Sequence, residues 1–206
     1  MRACPVCESI LLEPSVIKFG IDYVACKNCD AVFSDAIDPN IIVTHNDSPE
    51  TRANVEFQKV RLERVMQYLG RRPDNIFDFG CGAGNYVNFL NGLGLRAVGV
   101  DQDTLLKISD FSPQSFDVIN MVEVIEHLGD PCEILRQLAA ILKPGGIIYG
   151  ESSFVDFLGD PARSDYIDPR IGHCCIHSRR SIDYLAWKTR LRVGWVNNNV
   201  FVFRKG

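Results

Sequence analysis

Residues 76–86 read IFDFGCGAGNY: a short apolar run, an acid at Asp78, then glycines at alternate positions, Gly80, Gly82 and Gly84. Backbone sheds side chains in this way where it must approach something closely. Ile76 to Phe79 reads as a strand and Tyr86 to Leu93 as a helix, after which the strand Arg96 to Val100 ends at Asp101. Strand, glycine turn, helix, strand and acid is the order of a nucleotide site on an α/β sheet, with the terminal acid placed to bind ribose hydroxyls.

The spacing separates the ligands. A dinucleotide site uses Gly-x-Gly-x-x-Gly because a pyrophosphate must sit on the helix N-terminus. Here the glycines run Gly-x-Gly-x-Gly behind Asp78. An acid there repels a diphosphate and suits a cation such as an amino-acid ammonium or a sulfonium, which favours S-adenosylmethionine.

Further motifs follow in order: GVD at 99–101, FDVINMVEVIEHLGDP at 116–131 and ILKPGG at 141–146. Together with DFGCGAG, they resemble the successive motifs of class I S-adenosylmethionine-dependent methyltransferases over roughly residues 52–204. The resemblance implies a Rossmann-like α/β sheet and methyl transfer. It also implies that Asp78, Gly80, Cys81, Gly82 and Gly84 support the methionine part of the cofactor, that Asp101 holds the ribose, and that Gln102, Asp110, Phe111 and Met121 border the rest. One departure stands out. Only 14 residues, QDTLLKISDFSPQS, separate Asp101 from the next strand. A parallel crossover takes a dozen residues or more, so two cannot fit, and the third strand is expected to be shortened or missing.

Asp117 to Met121 reads as the next strand, whose carboxyl end should face the cofactor. Glu123, Glu126 and His127 follow at spacings of three and four, which put them on one face if they enter a helical turn. Two carboxylates and an imidazole beside a transferable methyl can act as a base or hold a divalent ion. Glu-x-x-Glu-His is similar to the metal-binding segment of small-RNA 2′-O-methyltransferases and of some quinone-pathway O-methyltransferases, which add a later histidine. His173 is the candidate here, with His177 in reserve. His127 and His173 are the expected catalytic residues, and Glu123, Glu126, His127 and His173 the alternative metal set.

Beyond this, Pro131 to Leu142 reads as an amphipathic helix, Ile147 to Glu151 as a strand, and Arg180 to Lys188 as a helix. Two strands, 191–196 and 200–204, flank Asn197-Asn198-Asn199, residues that tolerate hairpin turns. The stretch 152–178 is long and irregular, and is assigned to the substrate side, with Phe154, Tyr166, Arg170 and His173 within reach. Cys174 and Cys175 are expected in the core.

At the other end of the chain, Cys4-Pro-Val-Cys7 and Cys26-Lys-Asn-Cys29 are separated by 18 residues, the pattern of a four-cysteine zinc site. Four thiolates close the tetrahedron, so the zinc is expected to be structural. Residues 1–45 are read as a small zinc ribbon that packs on the main domain or helps cover its substrate, and 46–206 as the methyltransferase domain, with 34–50 connecting them.

The chain has 206 residues, of which 46% are apolar, enough to bury a core. It shows no apolar run of membrane-spanning length and begins without a secretion signal, so a cytoplasmic location is expected. The net charge of −4 hides a gradient: residues 1–45 hold 3 basic and 6 acidic side chains, and 163–206 hold 9 and 3. An acidic ribbon argues against nucleic acid as partner. The basic tail favours a small or glycan-linked acceptor that is phosphorylated or carries a nucleotide. Two other readings stay open: a degenerate methyltransferase fold serving as a binding or assembly module, and a metal-dependent RNA 2′-O-methyltransferase.

Overall fold

The computed structural model describes residues 3–37, 55–102 and 104–206. The boundary expected at residues 45 and 46 lies outside them.

In the N-terminal part, β1 (Leu12–Lys18) and β2 (Ile21–Cys26) form an antiparallel hairpin. Its two turn residues, Phe19 and Gly20, have φ of 50° and 79°, the left-handed pair that a two-residue turn requires. The short β3 (Val32–Phe33) extends this sheet.

The main sheet begins with α1 (Val55–Leu69), β4 (Asn75–Phe79), α2 (Asn85–Gly92) and β5 (Arg96–Val100). Then come β6 (Phe116–Val122), α3 (Pro131–Ile141) and β7 (Leu142–Glu151). Asp130 caps α3 by accepting the Glu133 amide, and Pro131 occupies the first turn, where its missing N–H costs nothing. After β8 (Cys175–Ile176), α4 (Arg179–Lys188), β9 (Leu191–Trp195) and β10 (Val200–Lys205) complete the chain.

The six strands lie in the order β5-β4-β6-β7-β10-β9. The first four run parallel, while β10 is antiparallel to β7 and β9. Beyond β5 the sheet has no further strand among the described residues. One helical turn, Ile108–Asp110, is the regular structure between β5 and β6. The missing third strand follows from the short connection. β7 begins at Leu142, five residues before the start read from the sequence, because Leu142 already pairs with Phe116 ahead of an irregularity in register.

Strand alternation divides the core between the two faces. Val118, Ile147, Tyr149 and Val202 meet Leu62 and Val65 of α1 and Leu90 of α2. Ile119, Met121, Ile148 and Phe203 face the other way, with Leu135 of α3 and Leu185 of α4. The N-terminal sheet buries Val6, Tyr23 and Phe33 in this second core, and β8 pairs with β3, giving the order β1-β2-β3-β8. The stretch that the sequence presents as an irregular substrate-side loop therefore supplies a strand to the ribbon.

Candidate cofactor and acceptor site

The glycine loop is tied down at both ends. Gly80 and Cys81 both donate their amides to the Val100 carbonyl, at 2.8 and 3.2 Å. Gly80 has φ of 80°, and a Cβ there would strike Val124, so this position takes glycine for two reasons. Gly84, also left-handed, opens α2. Asp101 accepts the amide of Gly82 at 2.7 Å on one carboxylate oxygen and that of Gln102 at 2.7 Å on the other. Each oxygen keeps a lone pair for a further donor.

Asp78 is the penultimate residue of β4, beneath this loop and only 4% exposed. Burial raises its proton affinity, the Asn120 hydrogen bond and the Arg61 charge oppose that rise, and Asp101 adds to it, leaving the carboxyl above its ordinary range. Asn120 Nδ2 donates to Asp78 Oδ1 at 2.5 Å, while Asn120 Oδ1 is buried and meets no donor among the described residues. Both residues line a cavity of about 270 Å³ with Gly80, Cys81, Tyr86 and Glu123. An acid and an orphaned carbonyl in one hollow call for a ligand that donates hydrogen bonds and carries positive charge.

The remaining expected cofactor residues do not line that cavity. Asp110 caps its own turn by accepting the Lys107 amide at 2.8 Å, and Phe111 packs edge-on against Phe77 and Phe116. Met121 is fully buried on the face opposite Asn120. Burial pushes the Cys81 thiol up to about 11.

At the carboxyl end of β6 the chain turns sharply. Glu123 adopts φ of 52°, a left-handed conformation uncommon outside glycine and frequent where function demands strain. Burial first, then the neighbouring Glu126 charge, pushes its carboxyl up to about 8. Glu126 is fully buried and accepts the Tyr166 hydroxyl at 2.5 Å on one oxygen and the Ser152 hydroxyl at 3.1 Å on the other. The Tyr166 hydroxyl also lies 3.2 Å from Glu123. His173 Nδ1 donates to the Tyr166 carbonyl at 2.6 Å, which turns Nε2 toward Glu126 at 3.9 Å. The His127 ring sits edge-on to His173, with centroids 4.7 Å apart. The donor atoms of Glu126, His127 and His173 all lie within 4.8 Å of one another.

The structure thus brings Glu126, His127 and His173 into one group of donor atoms, while Glu123, expected with them, lies outside that group and joins it through the Tyr166 hydroxyl. His177 is elsewhere, buried between Ser181 and the Ile125 carbonyl, with burial lowering its pKa to about 4. Phe154 is fully buried against Trp195 and Phe201 instead of facing an acceptor. Arg170 pairs with Asp168 at 2.6 Å and lies over the Phe19 ring.

A larger cavity of about 780 Å³ adjoins the first, sharing Phe57 and Arg61 with it, and is lined further by Arg64, Glu151 and Asn197 to Asn199. Its cationic side chains come from α1. In the basic tail, Arg180 pairs with Asp30, Lys188 with Glu8, and Lys205 with the Ala139 and Leu142 carbonyls, while Arg179 donates to the Asn197 carbonyl and lies near Asn198 Oδ1 on the cavity wall. Sequence reasoning missed Asn120, Ser152, Arg61 and Arg64. A signal existed for Asn120, since an amide inside the apolar run FDVINMV must find partners when buried.

In the ribbon, Cys4 and Cys29 sulfurs are 3.6 Å apart and those of Cys7 and Cys26 are 3.4 Å apart, with all four buried and within 4.8 Å of one another. Tetrahedral thiolates at about 2.3 Å from an ion would stand about 3.8 Å apart, so the donor set fits zinc. No helix among the described residues is long and apolar enough to cross a membrane.

A family model described as a methyltransferase domain matches residues 53–193. The chain is 27% identical over 124 residues to ubiquinone biosynthesis O-methyltransferase of Albidiferax ferrireducens, an alignment covering 48% of this chain and 49% of that protein. It is 30% identical over 113 residues to the protein of the same description from Xanthomonas euvesicatoria, covering 44% and 47%. The chain spans about half the length of the curated relatives it matches. Among solved structures, the 1,6-didemethyltoxoflavin-N1-methyltransferase of Burkholderia thailandensis, with bound 1,6-didemethyltoxoflavin and S-adenosylhomocysteine, superposes with a TM-score of 0.64. The superposition covers 94% of this chain and 99% of that one at 14% identity, a likeness of fold.

Proposed function

The chain belongs to the methyltransferase-domain family, and from that membership we propose that it transfers a methyl group from S-adenosylmethionine to a hydroxyl of a small or glycan-linked acceptor. The carrying observation is the pair at the root of the glycine loop. Asp78 and the orphaned Asn120 Oδ1 accept hydrogen bonds and offer none toward the cavity, as suits the ammonium of the cofactor's methionine part. Asp101, held by the Gly82 and Gln102 amides, has lone pairs left for ribose hydroxyls.

Methyl transfer needs alignment above all, because the sulfonium already activates the methyl. In the proposed step, an acceptor oxygen attacks the methyl carbon in line, the carbon–sulfur bond breaks, and S-adenosylhomocysteine leaves. The hydroxyl proton passes to His127. Glu126 and His173 surround that imidazole and stabilise the cation it becomes, a general-base contribution of about 10²–10⁴-fold. The 780 Å³ cavity is proposed to take the acceptor's anionic part, with Arg61 and Arg64 supplying positive charge; His127 lies outside its lining, so the acceptor must reach from it past Glu123 to the imidazole. The names of the curated relatives favour oxygen as the methylated atom.

A second reading rests on the convergence of Glu126, His127 and His173, a carboxylate and imidazole set that suits a divalent transition metal. Those residues would hold the ion, which would acidify an acceptor hydroxyl as a Lewis acid. At the ribbon, Cys4, Cys7, Cys26 and Cys29 are proposed to hold structural zinc.

Titration calorimetry with S-adenosylmethionine and S-adenosylhomocysteine tests the reading. Binding to the intact chain that weakens at least about tenfold in Asp101→Ala is expected. No binding by the intact chain would leave a methyltransferase fold serving as a scaffold. Stripping divalent ions separates the base and metal mechanisms.

A further inference from the structure

Tyr23 lies in β2 of the ribbon, 150 residues from His173 in sequence, yet its hydroxyl donates to the His173 main-chain carbonyl at 2.8 Å. Its side chain is 1% exposed. Burial raises its proton affinity above the ordinary phenol range, so it stays a neutral donor. The contact belongs to a wider seam. Ser34 donates its amide to the Cys174 carbonyl at 2.9 Å, and Ser178 donates its hydroxyl to the Cys29 carbonyl at 2.6 Å. At the hairpin tip, Lys18 donates to the Ser164 carbonyl at 2.8 Å, and Arg170 stacks 3.6 Å over Phe19. The segment 164–178 is therefore pinned to the ribbon on both sides of His173.

Inside this segment, the imidazole of His173 closes back on the Tyr166 carbonyl, and the Tyr166 hydroxyl reaches Glu126 and Glu123. A displacement of the main chain at residue 173 would alter the His173 tautomer bond, its 3.9 Å approach to Glu126 and the Tyr166 contact together. Among the described residues, these bonds involve no residue of the six-stranded sheet or the glycine loop.

We propose that Tyr23 is a positioning residue: through it, the four-cysteine ribbon sets the place and tautomer of His173 and couples its own integrity to the reacting end of the pocket. The proposal rests on the reading of His127 and His173 as reacting-end residues.

Four histidines make the imidazoles individually observable. The test is a two-bond ¹H–¹⁵N correlation spectrum of the histidine-labelled full chain as purified with its ribbon metal, for wild type, Tyr23→Phe and Lys18→Met, with and without S-adenosylhomocysteine. In wild type, His173 is expected to show a single pattern with Nδ1 protonated. Tyr23→Phe keeps the ring but not the bond, and is expected to lose that single-tautomer pattern, with Lys18→Met changing it in the same direction and less. His177, bonded to Ser181 and Ile125, keeps its pattern and reports an intact core. An unchanged His173 in Tyr23→Phe overturns the proposal, and so does a simultaneous change at His177, which would make Tyr23 a general fold residue. S-adenosylhomocysteine is expected to shift both His127 and His173 in wild type. If it shifts neither, the reacting-end reading fails, and with it the coupling to function, even where the tautomer responds to Tyr23.

Discussion

Asp78 and Asn120 are register partners on adjacent parallel strands, β4 and β6, and the Asn120 amide donates to the Asp78 carboxylate at 2.5 Å. The pair fixes an acceptor-rich floor under the glycine loop. Burial already disfavours the Asp78 charge. Asp78→Asn should therefore leave the unfolding midpoint unchanged or raised, while weakening S-adenosylmethionine about 10–100-fold through loss of a charge-assisted bond. Calorimetry and thermal melts on one sample check both halves, and undiminished affinity would remove the acid from the site.

Gly80→Ala makes a complementary prediction. The added methyl meets Val124, and φ of 80° strains any residue with a Cβ. Cofactor affinity should fall by tenfold or more, with a stability loss of about 1–2 kcal/mol. Gly92→Ala, placed where a Cβ meets open space, serves as the control and should bind normally.

What the sequence could disclose depended on how local the physics was. The glycine loop was legible because sterics tie it to spacing within seven residues, and the missing third strand because a length limit on crossovers is a property of the chain alone. Glu126, His127 and His173 were legible as a candidate set, but the hydrogen bonds that hold Glu126 were not: Ser152 and Tyr166 reach it through tertiary packing that carries no period. β8 is two residues long, too short for any alternation, so its place in the ribbon sheet gave no advance sign. The basic tail was legible as a charge gradient but not by its partners, since net charge along a chain does not say that Arg180, Lys188 and Lys205 already meet carboxylate or carbonyl oxygens.

The ribbon's four sulfurs are already gathered within tetrahedral reach. Elemental analysis of the purified chain should find one zinc ion per molecule. Cys26→Ser should lose it and lower the unfolding midpoint by at least about 4 °C, some 2 kcal/mol. Full zinc content in that variant would argue against a four-thiolate site.

At the opposite end of β6 from Glu123, Asp117 predicts a pH dependence. Burial resists its ionisation, but bonds from Arg71, the Asn75 amide, Lys143 and the Asp74 amide outweigh that and hold the carboxyl well below the usual range. A depressed folded value adds stability above the unfolded value near 4, which is lost as pH falls toward the folded one. Asp117→Asn should cost about 2 kcal/mol at pH 7, and the gap from wild type should close as pH drops below about 3. A gap constant from pH 7 to pH 2 would mean that packing, not charge, sets the cost.

His127→Ala separates chemistry from binding. The ring lies against His173 and next to Glu126, while Asp78 is bonded to Asn120 and Asp101 to the Gly82 and Gln102 amides. Cofactor affinity should stay within about twofold, while methyl transfer from labelled S-adenosylmethionine to small hydroxyl and sugar acceptors should drop about 10²–10⁴-fold. In the base mechanism, the wild-type rate survives removal of divalent ions, because the proton moves to an imidazole of the chain. In the metal mechanism the rate is lost with the ions and returns with them, and His127→Ala also loses the bound ion. Full activity in His127→Ala would leave the acceptor proton to another group, and the buried Glu126 cluster would then be a device of folding alone.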